Sequence, residues 1–198
     1  MVRDIRADFA RHDRSPVHGG FWTLALYRLG VWSKGRRGPV GWAASKLYSL
    51  LKPVCETLTG VILERTTRIG RDLHIVHAGG IQIHPHAVIG DRVGLMHGVT
   101  LGTNMGDEAP VIGDDVFIGC GAAVLGRVRV GNGARIAANS LVISDVPAGA
   151  VAMGVPARII PGAAGMKADG PPAARAASQP SPPPVATVLS VSLAPAAT

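Results

Sequence analysis

Residues 81–102 read I-Q-I-H-P-H-A-V-I-G-D-R-V-G-L-M-H-G-V-T-L-G, and an aliphatic residue returns every six positions, at Ile83, Ile89, Leu95 and Leu101. The beat continues in a second phase at Ile112, Ile118, Val124, Val130, Ile136 and Val142, while Ile69, Ile75 and Ile81 precede both. An α-helix demands a spacing near 3.6 and a simple strand a spacing of 2, so neither produces it. A six-residue period belongs to a parallel β-helix, whose short strands and tight turns enclose a prism filled by stacked side chains. Three hexapeptides make one coil if the prism is triangular. Small residues follow many anchors, among them Gly70, Gly90, Gly113, Gly119 and Ala137, where the backbone bends and a larger side chain would clash. Each anchor withdrawn from water contributes about 1.5–3 kcal/mol before entropy is subtracted.

The beat breaks twice. It slips by two between Ile81 and Ile83, which predicts a local bulge, and it stretches to eleven residues between Leu101 and Ile112. The surplus, G-T-N-M-G-D-E-A-P (102–110), is polar and Gly-containing. It predicts a loop extruded from one corner of the scaffold, a common place for function.

Upstream, residues 1–60 read as helical. F-W-T-L-A-L-Y-R-L-G-V-W (21–32) is apolar on most faces, the stretch from Lys34 to Pro39 is a basic break, and W-A-A-S-K-L-Y-S-L-L-K (42–52) resumes the helix as far as Pro53. These two helices are expected to pack on the main domain or on a partner subunit. The alternative is a peripheral membrane contact through residues 21–52, with Trp22, Trp32 and the basic turn at the headgroups. Downstream the composition turns to Pro, Ala, Gly and Ser, as in G-P-P-A-A-R-A-A-S-Q-P-S-P-P-P (170–184), and cannot offset its ordering entropy. The predicted organisation is a helical segment 1–60, a β-helix domain 61–162 and a disordered tail 163–198.

Of the 198 residues, 47% are hydrophobic, enough for a core, but only 4% are aromatic and 26 are Gly. That core must therefore be built from Val, Ile, Leu and Ala around many tight turns. A net charge of +7 attracts anions, but Lys and Arg are scattered without interleaved aromatics, so nucleic acid is not an expected partner. Cys55 and Cys120 form neither a CxxC pair nor a disulfide framework, which suits a reducing cytosol. No signal peptide is visible and no apolar run approaches the ~18 residues of a membrane span. The expected location is cytoplasmic, extending to the inner face of the membrane if the helices bind there.

Four of the seven histidines, His74, His77, His84 and His86, fall within thirteen positions. His74 and His77 are three apart, so on a strand they face opposite sides and cannot hold one metal within a chain. A zinc enzyme of the gamma carbonic anhydrase kind is a rival on the same scaffold, but its H-x-x-x-x-H pair is missing, and no metal is expected. A non-catalytic assembly module is a third reading.

The repeats combine with I-G-R-D-L-H-I-V-H-A-G-G-I (69–81), H-G-V-T-L-G-T (97–103), I-G-C-G-A-A-V-L-G (118–126) and G-V-P-A-R-I-I (154–160). Together these resemble the serine acetyltransferase family of hexapeptide-repeat acyltransferases, over about residues 60–160 and less closely at D-I-R-A-D-F (4–9) and A-L-Y-R-L (25–29). The resemblance implies a mainly β fold, the left-handed parallel β-helix, assembled as a homotrimer or a pair of trimers with active sites between neighbouring prisms. It implies transfer of acetyl from acetyl-CoA, the co-substrate, directly to a hydroxyl.

Such a transfer needs a base at the acceptor hydroxyl, and histidine suits it. His77 falls on the family's catalytic histidine. No acyl-enzyme is needed, so Cys120 does not read as a nucleophile; the resemblance places the pantetheine arm of CoA beside Thr103, Cys120 and Ala138, with Arg158 near the nucleotide phosphates. His74, His84 and His86 are expected at the surface.

Two departures bear on the acceptor. The aspartate that orients the histidine in serine-specific enzymes is Ile62 here, with Glu64 two residues on as a substitute. The serine-binding Asp-Arg-His-Pro segment is replaced by D-E-A-P, so Asp107 and Glu108 stand where they would repel a carboxylate but accept bonds from sugar hydroxyls. His97 before G-V-T-L-G resembles the exopolysaccharide, colanic-acid-type members. A saccharide acceptor is therefore expected first and L-serine second.

Overall fold

Most hexapeptides bury two residues, the aliphatic anchor and the residue two positions before it. In the computed structural model, which describes residues 2–106 and 108–162, Leu95 and Val93 are both 0% exposed, as are Ile75 and Leu73. Residues two apart on a strand share a face, so each short strand turns this pair inward together.

Three sheets form the prism walls. The first holds β1 (Val61–Leu63), β4 (Ile81–Ile83), β7 (Thr100–Gly102), β10 (Ala123–Leu125) and β13 (Leu141–Val142). The second holds β2 (Arg68–Ile69), β5 (Val88–Ile89), β8 (Val111–Ile112) and β11 (Arg129–Val130). The third holds β3 (His74–Ile75), β6 (Gly94–Leu95), β9 (Phe117–Ile118), β12 (Arg135–Ile136), β14 (Val151–Met153) and β15 (Arg158–Ile160). From β1 to β13 successive strands visit the three walls in turn; β14 then rejoins the third wall, and the named strands pair in parallel except β15, which turns back antiparallel on β14. The fold is the left-handed parallel β-helix, opposite in hand to ordinary parallel crossovers.

Register locates the two breaks. Ile83 pairs with Leu101 and Val124 with Val142, each eighteen residues on, which is three hexapeptides per coil. Val61 pairs with Ile81, twenty residues on, and Leu101 with Val124, twenty-three on. The five extra residues of the longer coil lie in the loop between β7 and β8, as the sequence predicts. The two extra residues are not a bulge between Ile81 and Ile83. Both side chains are buried on one regular strand, Ile81 as the residue two before the anchor Ile83. The insertion lies earlier, in the corner 76–80 that carries His77, where Gly79 adopts φ 118°.

Three helices, not two, precede the prism: α1 (Val2–Arg11), α2 (Gly19–Lys34) and α3 (Pro39–Thr59). Helix α3 runs through Pro53 rather than stopping before it. Ser49 and Pro53 are both exposed, so the carbonyl that lacks an amide partner can meet water.

The helices cap the open end of the first coil. Leu24 and Tyr27 of α2 join the prism core, and a side chain at Gly20 would bring a Cβ within 2.7 Å of Ile75 Cβ. Tyr27 Oη donates to Thr67 O at 2.7 Å, and Arg28 donates to Gly70 O at 2.8 Å while pairing with the buried Asp8 at 3.1 Å. Much of α3 stays bare, with Trp42 67%, Leu50 70% and Leu58 81% exposed. Among the described residues no helix is long and apolar enough to cross a membrane. The tail expected at 163–198 lies outside the described residues.

Candidate active site

His77, His97, Cys120 and Ala138 follow β3, β6, β9 and β12, so they occupy the same corner, between the third and first walls, in four successive coils. Backbone bonds tie these corners together: Gly98 N donates to Gly79 O at 2.8 Å, Gly121 N to His97 O at 3.0 Å and Asn139 N to Cys120 O at 2.8 Å. Gly98 and Gly121 take φ of 71° and 67°, which a Cβ-bearing residue adopts only at a cost. Among the described residues, the amides of Cys120 and Ala138 donate to no protein acceptor. The corner thus offers free N–H groups beside small side chains, a surface suited to the amides of a pantetheine arm.

At the first two coils the column ends in two imidazoles. The rings of His77 and His97 are 6.1 Å apart and inclined at 52°, and both residues are exposed. Among the described residues no carboxylate hydrogen-bonds the His77 ring. Glu64 stands at the far end of β1, next to the opposite corner, where Lys52 Nζ holds its Oε1 at 2.8 Å. Ile62 is 46% exposed in the middle of that strand, on its outer face. Within one chain the fold therefore does not bring Glu64 to His77.

The remaining predicted residues lie elsewhere on the prism. Thr103 and Glu108 belong to the extruded loop, one wall away from the histidine corner, and Arg158 is exposed on β15. Glu108 lies 3.5 Å from the Arg127 guanidinium, so the acidic loop is partly neutralised by a cation from the next coil. Asp107 lies outside the described residues. Within one chain, Thr103 and Glu108 therefore stand apart from His77.

His74 is not the surface group expected. Its ring stands edge-on to buried His12, centroids 5.1 Å apart, and burial together with that neighbour depresses its pKa to about 4. His12, which sequence reading passed over, packs against His18 at 4.9 Å as well. A histidine in a polar helical stretch, R-A-D-F-A-R-H-D-R, carries no sign of burial. His84 and His86 do lie together, 5.2 Å apart, and His86 is exposed. Among the described residues no three His, Cys, Asp or Glu side chains are grouped to hold a metal ion.

Comparison with known proteins follows the same lines. The bacterial transferase hexapeptide family (six repeats) matches residues 109–144. The chain is 35% identical over 174 residues to the serine acetyltransferase of Synechococcus elongatus, covering 81% of this chain and 69% of the relative. A Brucella abortus serine acetyltransferase in complex with coenzyme A superposes with a TM-score of 0.68 at 30% identity, covering 80% of this chain and 67% of that one. A Neisseria gonorrhoeae serine acetyltransferase in complex with serine gives 0.66 at 32% identity, covering 79% and 68%. Of other curated relatives that it matches, the chain spans only 39% to 50% of the length.

Proposed function

Because the chain belongs to the serine acetyltransferase family of hexapeptide-repeat acyltransferases, we infer that it transfers acetyl from acetyl-CoA directly to an acceptor hydroxyl. The observation that carries this reading is the single corner shared by His77, His97, Cys120 and Ala138. His77 takes the hydroxyl proton as the acceptor oxygen attacks the thioester carbonyl. The C–O bond forms, the C–S bond breaks, and the proton passes from His77 to the departing thiolate of CoA. The pantetheine arm lies along Cys120 and Ala138, with Thr103, one wall away in the same chain, reaching it from a neighbouring copy, and Arg158 meets the nucleotide phosphates. His97 sits over the acceptor from the neighbouring coil.

L-serine is the acceptor supported best. The order expected from sequence alone, saccharide before serine, is reversed, because the relatives and solved structures named above are serine acetyltransferases, one of them in complex with serine. Repulsion of a carboxylate by the loop is weaker than its sequence suggests, since Arg127 accompanies Glu108. Glu64 and Asp107 take no part in this reading of the acceptor site. The bare apolar face of α3, within the stretch also considered for membrane contact, is assigned to packing between copies of the chain in a trimer or pair of trimers.

A thiol-release assay over L-serine, homoserine, simple sugars and nucleotide sugars tests the acceptor. L-serine should be turned over fastest, and a sugar exceeding it tenfold in kcat/KM would restore the saccharide reading.

A further inference from the structure

The third sheet ends at β3, whose outer edge has no strand beside it among the described residues. His74 N and Val76 N donate inward to Val93 O and Leu95 O of the next coil, at 2.8 and 2.9 Å, so Ile75 N points the other way. There it meets the side chain of the residue that follows α1: Ile75 N donates to His12 Nε2 at 3.2 Å, and both residues are 0% exposed. Because a backbone N–H can only donate, Nε2 must be the bare nitrogen. The proton is then on Nδ1, which donates to Asp8 O at 2.7 Å. His12 is thereby fixed as one neutral tautomer, clamped between the last turn of α1 and the edge of a strand that ends two residues before His77.

We propose that His12 is a positioning residue, a neutral imidazole latch that seats α1 against β3 and so fixes the corner bearing His77. Protonating Nε2 would set an N–H against the Ile75 N–H and break the clamp. Every element packed around it disfavours that charge or answers it weakly. Arg11 ends α1 just before it, His18 lies on the following segment and His74 on β3; of the nearby acids, Asp8 is engaged by Arg28 and Asp13 is exposed. Burial holds the His12 pKa below its ordinary value. The seat is also imperfect, since Asp8 Oδ1, Arg11 Nε and His18 Nδ1 are buried without partners, which marks it as a place where the structure opens before the prism does.

The proposal rests on the acetyltransferase reading only for its kinetic consequence; the latch itself is tested without substrate. Hydrogen exchange on the full chain, corrected for the intrinsic pH dependence, follows segments 2–11, 73–77 and 111–142 between pH 8 and pH 4. In the wild type, protection of 2–11 and 73–77 should fall together by tenfold or more as the pH drops below about 6.5, while 111–142 stays protected. In a His74→Gln background, which removes the other buried ring that titrates in this range, His12→Gln, whose side-chain oxygen can accept from Ile75 N but does not titrate, should keep both segments protected throughout. At pH 8, His12→Leu should lower kcat about tenfold with KM for acetyl-CoA unchanged, and Gln should recover most of it. Unchanged protection of 73–77 in the wild type, or the same pH-dependent loss in His12→Gln, overturns the latch. A kinetic effect missing from a chain whose exchange behaves as described overturns only the link to His77.

Discussion

His77 and His97 face each other across one coil step, ring centroids 6.1 Å apart at the same corner of the prism. The fold sets this distance, because successive corners are tied by hydrogen bonds from Gly98 to Gly79 and from Gly121 to His97. In the proposed reaction His77 is assigned the base and His97 the contact with the acceptor. His77→Ala should reduce kcat by about 10²–10⁴, the usual worth of general base catalysis, and leave the assembly unchanged by light scattering. His97→Ala should cost less than about tenfold and act mainly on KM for the acceptor. Equal losses from the two would assign the base wrongly.

Inward and outward positions on the same walls should respond oppositely to truncation. Ile118 is fully buried, and Ile118→Ala should lower unfolding free energy by about 2–5 kcal/mol in chemical denaturation. Ile62, 46% exposed on β1, should change it by less than about 0.5 kcal/mol when cut to Ala.

The corner glycines should resist enlargement for a different reason. A Cβ on Gly119 would lie 2.7 Å from Ala138 N in the next coil, a backbone atom that cannot swing aside. Gly119→Val should therefore destabilise by about 1–3 kcal/mol and raise KM for acetyl-CoA, since both residues border the proposed pantetheine groove.

Acid should weaken the seat of α1 before it protonates most carboxylates. His74 titrates near 4 when folded, against 6.5 for a free histidine, and His12 is shifted the same way, both chiefly by burial. The unfolded chain thus binds more protons below 6.5, so this contribution to stability is present above that pH and is lost as the pH falls from about 6.5 toward 4. Asp8 works against it in part, because burial raises its pKa and its protonation favours the folded state at low pH. Denaturant midpoints measured from pH 7 to 4.5 should fall steadily in the wild type and much less in a His12→Gln, His74→Gln double variant.

The loop contact yields a prediction about charge. Arg127 is 3.5 Å from Glu108 and mostly exposed. If its guanidinium balances the acidic loop as serine binds, Arg127→Ala should raise KM for L-serine several-fold with kcat nearly unchanged, and Glu108→Gln should lower that KM. The opposite pair of changes would favour an uncharged acceptor.

Much of this architecture is legible in the chain because a β-helix repeats its packing requirement every six residues. Ile83, Ile89, Leu95 and Leu101 announce the strands, and the eleven-residue interval before Ile112 announces the loop. The second inward column is harder to read, since it tolerates Ala87, Ala122 and Ser140 beside Val and Leu, residue types equally at home on a surface. Missing it put the two-residue insertion at Ile81 rather than in the corner of His77, because Ile81 looks like an anchor out of phase. Pro53 misled for a related reason: a proline ends a buried helix more strictly than an exposed one. His12 and its bond to Ile75 span 63 positions, and no local pattern signals such a contact. Glu64 is close to the family's aspartate in sequence, yet strand geometry carries it to another corner and to Lys52.

The most direct test is to incubate the purified chain with acetyl-CoA and L-serine and to quantify free CoA and O-acetyl-L-serine together. The account predicts equal amounts of both, formed at an enzymatic rate by the wild type and reduced at least a hundredfold in His77→Ala. It is contradicted if serine releases no CoA above the acceptor-free rate, or if His77→Ala makes O-acetyl-L-serine as fast as the wild type.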